Sequence, residues 1–228
     1  MSTQDAGIDR ADGRIPPETI AAALAPFHAG LTAQQIQAIQ DYLSVLLQWN
    51  QSINLTAIED PIEILARHFG ESLFAASFLR IGAGRLADVG TGPGFPGLPL
   101  KIVSPGMELA LFESNSKKCA FLTEVVQRLG LSRVKVMRQR YQEFRPGVSD
   151  QGFDFVCSRA LGDYPVFLPW ARRVLKPGGS VVLWLGTEES IRISRRQGFS
   201  WDAPVPIPES RRRVILVGRN GAGPECST

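Results

Sequence analysis

Hydrophobic residues recur every three or four positions in the first third of the chain, which is the spacing of one helix face. Two segments show it most clearly, "LTAQQIQAIQDYLSVLLQWN" and "EDPIEILARHFGESLFAASFL". Thr32 with Gln35, and Asp60 with Glu63, have the spacing of residues that cap a helix N-terminus. A shorter helix is predicted before them. The pattern therefore predicts an N-terminal helical subdomain over residues 16–80.

From Gly84 onward the pattern changes to short apolar runs that alternate with amphipathic segments. The runs "RLADV", "ELALFES", "RVKVMR", "FDFVCS", "SVVLWL" and "RRRVILVGR" have the length and composition of buried strands. Strands that alternate with helices form a parallel sheet with helices on both faces. We therefore predict an α/β core over residues 81–219. Residues 1–15 and 220–228 are predicted to be disordered tails.

Composition narrows the class of protein. The chain of 228 residues is 44% hydrophobic and 21% charged, as in a soluble globular protein. Its apolar runs fall far short of the roughly 18 residues of a membrane span, and its polar N-terminus does not resemble a signal peptide. Cys119, Cys157 and Cys226 form no CxxC pair and lie far from His28 and His68. We therefore expect a cytoplasmic protein without a disulfide framework, a metal site or a membrane partner.

Basic residues are clustered more than the overall charge suggests. The net charge is only +3, which by itself says little about partners. One basic cluster is typical of a solvated face, but several in one small domain favour a nucleic-acid partner. The clusters "SKK", "MRQR", "SRRQ" and "RRR" are spread over the second half of the chain. The candidate phosphate contacts are Lys117, Lys118, Arg138, Arg140, Arg211, Arg212 and Arg213.

The segment "LADVGTGPGFPGLPL" ends a strand in a turn rich in glycine and proline. Gly92, Gly94 and Gly97 fit the pattern G-x-G-x-x-G, directly after a strand and before a helix. Glu113 follows about 20 residues later at the end of the next strand, where a carboxylate binds ribose hydroxyls. This arrangement predicts a nucleotide-containing cofactor. A merely tight turn is the alternative, but it leaves the position of Glu113 unexplained.

Two features favour S-adenosylmethionine over a dinucleotide. Pro93 and Pro96 remove two N–H donors that a pyrophosphate would use. The segment "VLKPGGSVVLWL" resembles the entry into the fifth strand of class I S-adenosylmethionine-dependent methyltransferases, and "FDFVCS", with Asp154, resembles their fourth strand. The resemblance implies a Rossmann-like fold with a mostly parallel seven-stranded sheet.

Four segments in the same order carry a more specific resemblance, "QWNQSINLTAIEDPIEILARHFGES", "DVGTGPGFPGLPLKIV", "FESNSKKCAFL" and "CSRAL". Together they resemble the bacterial ribosomal RNA methyltransferases of the GidB (RsmG) type over residues 30–218. The resemblance implies transfer of a methyl group from S-adenosylmethionine to N7 of a guanine in small-subunit (16S) ribosomal RNA, with the RNA or the small ribosomal subunit as the substrate. We expect the protein to be a monomer. The expected cofactor contacts are Gly90, Gly92, Gly94, Phe95, Glu113, Tyr141, Gln142 and Arg159.

Methyl transfer to N7 of guanine requires few catalytic groups from the protein. N7 of guanine carries a lone pair and no proton, so no general base is needed and catalysis is mostly positioning. Arg159, Asn54 and His68 are the positioning candidates. The chain departs from the family in having Leu185 where a lysine is usual, and Glu71 where an aspartate is common.

Three other functions remain open from the sequence. The chain is alternatively an RNA-binding protein with a degenerate methyltransferase fold, for which the missing lysine is the best support. It is alternatively a methyltransferase that acts on another RNA, or on a small molecule. Cys157 is interpreted as a small buried strand residue, the alternative being the thiolate nucleophile of a cytosine-C5 mechanism.

Overall fold

The computed structural model describes residues 14–147, 151–159 and 161–221. Both predicted caps are present. The Thr32 hydroxyl accepts from the Gln35 amide at 3.2 Å, the Gln35 side chain accepts from the Thr32 amide at 2.9 Å, and Asp60 accepts from the Glu63 amide at 2.7 Å. The first helices are α1 (Pro17–Leu24), α2 (Ala33–Asn50), α3 (Pro61–Ile64) and α4 (Glu71–Phe74).

Between α3 and α4 the chain forms a π-helix, Leu65–Gly70, within what the sequence predicts as one regular helix. The helical pattern is therefore confirmed, but its winding is not uniform. Such wider turns are rare and frequently occur at functional sites. Here the wide turn carries His68 and leads directly into Glu71, which is buried.

The sheet follows the order β3-β2-β1-β4-β5-β8-β6, with a further short strand, β7, paired to β8. Strands β1 to β5 pair in parallel, whereas β8 lies antiparallel between β5 and β6. The strands are β1 (Arg85–Val89), β2 (Glu108–Glu113), β3 (Val134–Arg138), β4 (Phe153–Arg159), β5 (Leu175–Gly186), β6 (Phe199–Trp201), β7 (Val205–Pro206) and β8 (Arg213–Asn220).

The described residues therefore form an eight-stranded sheet instead of the predicted seven. Seven strands lie on the main path, and β7 adds two residues beside β8. Proline has no N–H to donate to a ladder. Pro204, Pro206 and Pro208 therefore keep β7 short, and the alternation of single apolar residues with prolines hid it from the sequence analysis.

Helices cover both faces of the sheet, as predicted. One apolar cluster joins the N-terminal helices, α5 and α6 to the face that carries Cys157 and Trp184. The other joins α7 and α8 to the opposite face, which carries Val89 and Leu185. The later helices are α5 (Gly97–Val103), α6 (Ser116–Arg128), α7 (Tyr164–Val174) and α8 (Thr187–Ser194). Since one cluster spans residues of both predicted units, the N-terminal helices pack directly on the sheet.

The ends of the described chain are held by contacts. Ile15 is buried, and its carbonyl accepts from the Gln40 side chain at 2.6 Å. Asn220 is the last residue of β8. The predicted tails of residues 1–15 and 220–228 therefore include ordered positions at their inner ends, while residues 1–13 and 222–228 lie outside the described residues. No described helix is both long and apolar enough to cross a membrane.

Candidate active site

The glycine-rich turn connects β1 to α5 at the carboxyl end of the parallel strands. Asp88, fully buried in β1, holds both ends of it. Its Oδ2 accepts from the Thr91 hydroxyl at 2.6 Å and from the Gly97 amide at 2.8 Å. Burial raises the pKa of Asp88 to about 6. The sequence analysis missed this residue, although an aspartate inside the apolar run "LADV" was a signal.

The glycines of the turn serve different purposes. Gly90, Gly92 and Gly94 have positive φ angles of 67°, 56° and 97°, which favour glycine. A Cβ on Gly94 would lie 2.4 Å from Leu98, so packing requires glycine there. A Cβ on Gly92 would meet no heavy atom within 4 Å. The turn is therefore packed on one side and open at Gly92, where a ligand has room to approach the main chain.

Phe95 lies in the core, not at a ligand surface. Its ring stacks on Tyr42 at a centroid distance of 5.4 Å and on His68 at 4.9 Å, and its side chain is buried. The predicted role of Phe95 in cofactor binding therefore does not rest on its ring in this structure. The ring joins the turn to the N-terminal helices.

The remaining cofactor candidates meet at the same edge of the sheet. Glu113 ends β2, and its carboxylate accepts from the Asn115 amide at 2.8 Å. Tyr141 follows β3, and its ring centroid lies 5.0 Å from that of Trp170. Its buried hydroxyl has no hydrogen-bond partner in the part of the chain that the structure describes. Gln142 is exposed beside it. Carboxyl ends of strands in open α/β sheets are where ligands bind.

Arg159, at the end of β4, lies on the side of the sheet that the N-terminal helices cover, and its guanidinium approaches the carboxylate of Glu71. Their side chains are 3.6 Å apart, and Glu71 also contacts Arg67 at 3.5 Å and Arg213 at 2.5 Å. The Trp184 indole donates to the Glu71 carbonyl at 2.7 Å. Burial raises the pKa of Glu71 to about 7, against the opposing effect of Arg159 and Arg67.

We call the boundary between the N-terminal helices and the carboxyl ends of the strands the seam, and His68 lies on its helical side, in the π-helix. Nε2 of His68 lies 2.7 Å from the Thr56 hydroxyl. Burial, together with the charges of Arg159 and Arg67, lowers the pKa of His68 to about 3. His68 is therefore neutral at physiological pH. Asn54 is exposed.

The connector before His68 is shaped by Asn50, which the sequence analysis did not single out for the site. The Asn50 side chain accepts from the amides of Leu55 and Thr56 at 2.9 and 3.0 Å and donates to the Thr56 carbonyl at 3.1 Å. These bonds fix Thr56 and hence the ring of His68. Asn54 lies within the loop that they close and is exposed.

Unpaired polar atoms are concentrated along this seam. Buried polar groups are normally hydrogen-bonded. Among the described residues, five buried atoms here have no hydrogen-bond partner: His68 Nδ1, Glu71 Oε2, Asp88 Oδ1, Arg159 Nη1 and Arg213 Nη2. Electrostatic coupling links them, because the charge of Arg159 affects the pKa values of Glu71, Asp88 and His68. The arrangement is typical of a site that a polar ligand completes.

The predicted phosphate contacts fall into two groups. Lys117, Arg138, Arg140, Arg211 and Arg212 are exposed and Lys118 is half-buried, all at or beside the carboxyl ends of the strands. Arg213 differs, because its guanidinium pairs with buried Glu71. As the first residue of β8 it faces the helical layer, so the prediction of a phosphate contact at Arg213 is not supported by its placement.

Cys157 and Leu185 are both buried. Burial, with the nearby charge of Asp88, raises the pKa of the Cys157 thiol well above its ordinary value, so it is not a thiolate. Leu185 packs against the α8 side of the sheet with Ile193, away from Arg159. Within the described ranges no group of histidine, cysteine and carboxylate side chains could hold a metal ion. Cys226 lies outside those ranges.

This strand order, with an open glycine turn after β1 and a carboxylate after β2, defines an S-adenosylmethionine-dependent methyltransferase fold. The structure resembles a SAM-dependent methyltransferase from Aquifex aeolicus, with 18% identity and a TM-score of 0.58 over 71% of this chain and 94% of that one. It also resembles TYW2 of P. horikoshii in complex with MeSAdo, with 15% identity and a TM-score of 0.54 over 68% and 63%.

The sequence comparisons are more specific. The GidB family model, described as rRNA small subunit methyltransferase G, matches residues 35–199. Ribosomal RNA small subunit methyltransferase G of Sorangium cellulosum is 35% identical over 218 residues, covering 92% of this chain and 90% of the relative. That of Desulfitobacterium hafniense is 40% identical over 189 residues, covering 82% and 72%. The chain belongs to this family, which confirms the resemblance found in the sequence.

Proposed function

We propose that this protein transfers a methyl group from S-adenosylmethionine to N7 of a guanine in 16S ribosomal RNA. Its membership of the rRNA small subunit methyltransferase G family supports the reaction class and the RNA. The observation that carries the proposal is that Asp88, which anchors the open glycine turn, is electrostatically coupled to Arg159 and its unpaired polar neighbours. We infer that it acts in the cytoplasm and as a monomer, and analytical ultracentrifugation at micromolar concentration would test the oligomeric state.

The residues at the carboxyl edge fit the cofactor. The space at Gly92 lets a ligand contact the turn, Glu113 offers carboxylate oxygens to ribose hydroxyls, and Tyr141 has a buried hydroxyl without a partner among the described residues. Gly90 and Gln142 follow the carboxyl ends of β1 and β3, at the same edge of the sheet. When bound, S-adenosylmethionine supplies a methyl group on a sulfonium, an electrophile that needs no activation by a protein acid.

The chain's own task is to hold the acceptor base. N7 attacks with its lone pair and loses no proton, so no residue here is required to transfer one. Arg159 has a donor to offer to the acceptor base, and neutral His68 closes the helical side of the site. The guanine ring gains positive charge in the reaction. The carboxylates of Glu71 and Asp88, both coupled to Arg159, offset part of the positive charge of the arginines at this edge.

The direct test is methyl transfer from labelled S-adenosylmethionine to small subunits, and separately to naked 16S RNA, from a strain that lacks the gene. We expect labelling of one guanine, detected as a single alkali-labile site because N7 methylation places positive charge on the ring. RNA from the parent strain should carry the site and take up no label. Binding of RNA without transfer on either substrate would instead indicate an RNA-binding protein, and label on another base would refute N7.

Cys157→Ala is expected to keep methyl-transfer activity within about threefold of wild type. The thiol is buried and its pKa is raised well above its ordinary value, so it is not available as a nucleophile. The measurement is kcat on deficient RNA, alongside the melting temperature. An inactive variant that stays folded, or a covalent adduct between the wild-type thiol and the RNA, would instead support cytosine-C5 chemistry.

Arg211→Ala/Arg212→Ala is expected to weaken RNA binding and to reduce the slope of log Kd against log salt by about 1 to 2, since lost phosphate contacts release fewer counterions. Both arginines are exposed next to the carboxyl end of β5. Arg213 is left intact because it pairs with Glu71.

The matched control removes the same charge elsewhere. Arg195 and Arg196 are also exposed and adjacent, but they lie at the far end of α8, roughly 12 Å from its start for eight residues. Arg195→Ala/Arg196→Ala should leave the slope nearly unchanged. Equal slopes for the two double variants would show that Arg211 and Arg212 make no particular contact with RNA.

A further inference from the structure

Glu71 is a buried carboxylate surrounded by three guanidinium groups. Its side chain is 2% exposed, and Arg67, Arg159 and Arg213 approach it at 3.5, 3.6 and 2.5 Å. These partners come from three elements, namely the π-helix, the end of β4 and the start of β8. When Glu71 is ionised, one carboxylate against three guanidinium groups leaves the cluster with an excess of two positive charges. A carboxylate in such a place is the common partner of groups that would otherwise repel one another.

The local fold explains how Glu71 reaches this position. The π-helix ends at Gly70, and a Cβ there would lie 2.5 Å from the ring of Phe27. The π-helix therefore packs closely against the turn that follows α1. The Trp184 indole of β5 donates to the carbonyl of Glu71 at 2.7 Å. The main chain of Glu71 is therefore fixed to one strand while its side chain pairs with residues of two others.

Arg159 depends on Glu71 for its placement. Within the described residues, Glu71 is the carboxylate that contacts the Arg159 guanidinium, and Arg67 repels it. Arg159 Nη1 is buried without a hydrogen-bond partner there, so one donor of the guanidinium is not used by the fold. Without the carboxylate, Arg159 would face Arg67 and Arg213 with nothing between them.

We propose that Glu71 is a positioning residue for methyl transfer, which holds the Arg159 guanidinium between the helical layer and the glycine turn so that its remaining donor meets the acceptor base. The inference rests on the proposed function, because it assigns Arg159 to the acceptor. In this proposal Glu71 acts through Arg159 and does not itself contact the base, since its side chain is only 2% exposed. Displacement of a positioning group by about 1 Å can cost about 100-fold in rate.

The test compares Glu71→Gln, which keeps the shape and removes the charge, with Glu71→Asp, which keeps the charge. We expect Glu71→Gln to lower kcat about 100-fold, with the KM for RNA and the Kd for S-adenosylmethionine within threefold of wild type. Glu71→Asp should retain a kcat within about tenfold of wild type. The control is Asp154→Asn, which removes an ion-paired carboxylate at the opposite edge of the sheet, where Asp154 pairs with Lys176 at 2.8 Å, and it should leave kcat unchanged.

A second pair of variants applies if Glu71→Gln does not fold. Glu71→Gln/Arg213→Gln retains the excess of two positive charges of the wild-type cluster and keeps Arg159, so kcat should still fall about 100-fold. Arg213→Gln alone should keep most of the wild-type kcat. A kcat within threefold of wild type in a folded variant without the Glu71 carboxylate would overturn the inference. So would a loss of cofactor affinity equal to the loss of kcat. Absence of methylation by the wild-type protein would refute the proposed function instead.

Discussion

Arg159→Ala is expected to lower kcat/KM for methyl transfer by about 100-fold or more, because the acceptor base loses a group that positions it and misplacement by about 1 Å can cost about 100-fold in rate. Arg159 ends β4 at the carboxyl edge and points to the helical layer, on the opposite side of the strand from Ser158, whose hydroxyl donates to the Val89 carbonyl. We therefore expect the loss to appear in kcat and in the KM for RNA. The Kd for S-adenosylmethionine, measured by calorimetry, should stay within threefold.

Two controls separate chemistry from stability in this experiment. Arg159→Lys keeps the charge near Glu71 and should recover part of the activity, because a lysine lacks the planar fork of the guanidinium. Arg219→Ala removes another arginine, paired with Asp202 at 3.3 Å at the opposite end of β8, and should leave activity unchanged. A large rise in the Kd for S-adenosylmethionine would instead assign Arg159 to the methionine carboxylate, and full activity of Arg159→Ala would remove it from the site.

Much of the fold could be predicted because local signals agreed with the tertiary structure. The capping residues Thr32 and Asp60 set helix starts through bonds to amides three residues away, which depend on local sequence alone. Strand and helix alternation implied the parallel sheet. Where local signals were weak, as in the proline-rich segment of β7, the strand went unnoticed.

The arrangement of the seam could not be predicted, because it depends on contacts between distant parts of the chain. Arg213 is the last of three consecutive arginines, a run that predicts a phosphate-binding surface. The fold instead pairs Arg213 with Glu71. The sequence marked Glu71 only as a departure from the family. The π-helix that carries His68 toward Phe95 has no counterpart in a regular 3.6-residue pattern. The sequence therefore identified the residue types of the site but not their pairing.

The glycine turn shows the same limit at closer range. Its spacing predicted a cofactor site, but it did not distinguish Gly94, which packing requires, from Gly92, which faces open space. Asp88 was passed over as part of a strand, although it holds Thr91 and Gly97 in place. Burial is what separates these roles, and burial depends on the whole fold.

Gly92→Val is expected to weaken S-adenosylmethionine binding by about 100-fold or more, equivalent to about 2.7 kcal/mol. Two branches on the Cβ would occupy the open space at the turn that we assign to the cofactor. The φ angle of 56° also strains any β-branched residue, at a cost of order 1–3 kcal/mol in stability. A loss of affinity therefore has to be separated from a loss of folding.

Gly130→Val provides that separation. Gly130 follows the end of α6 with a φ angle of 60°, and a Cβ there also meets no heavy atom within 4 Å, so the backbone strain is matched. Both variants should lose similar unfolding free energy in urea, by about 1–3 kcal/mol. Only Gly92→Val should lose heat of binding on titration with S-adenosylmethionine at a temperature where both remain folded. Normal binding of S-adenosylmethionine by Gly92→Val would place the cofactor elsewhere, because it would show that the space filled by the valine side chain is not the space that the cofactor occupies.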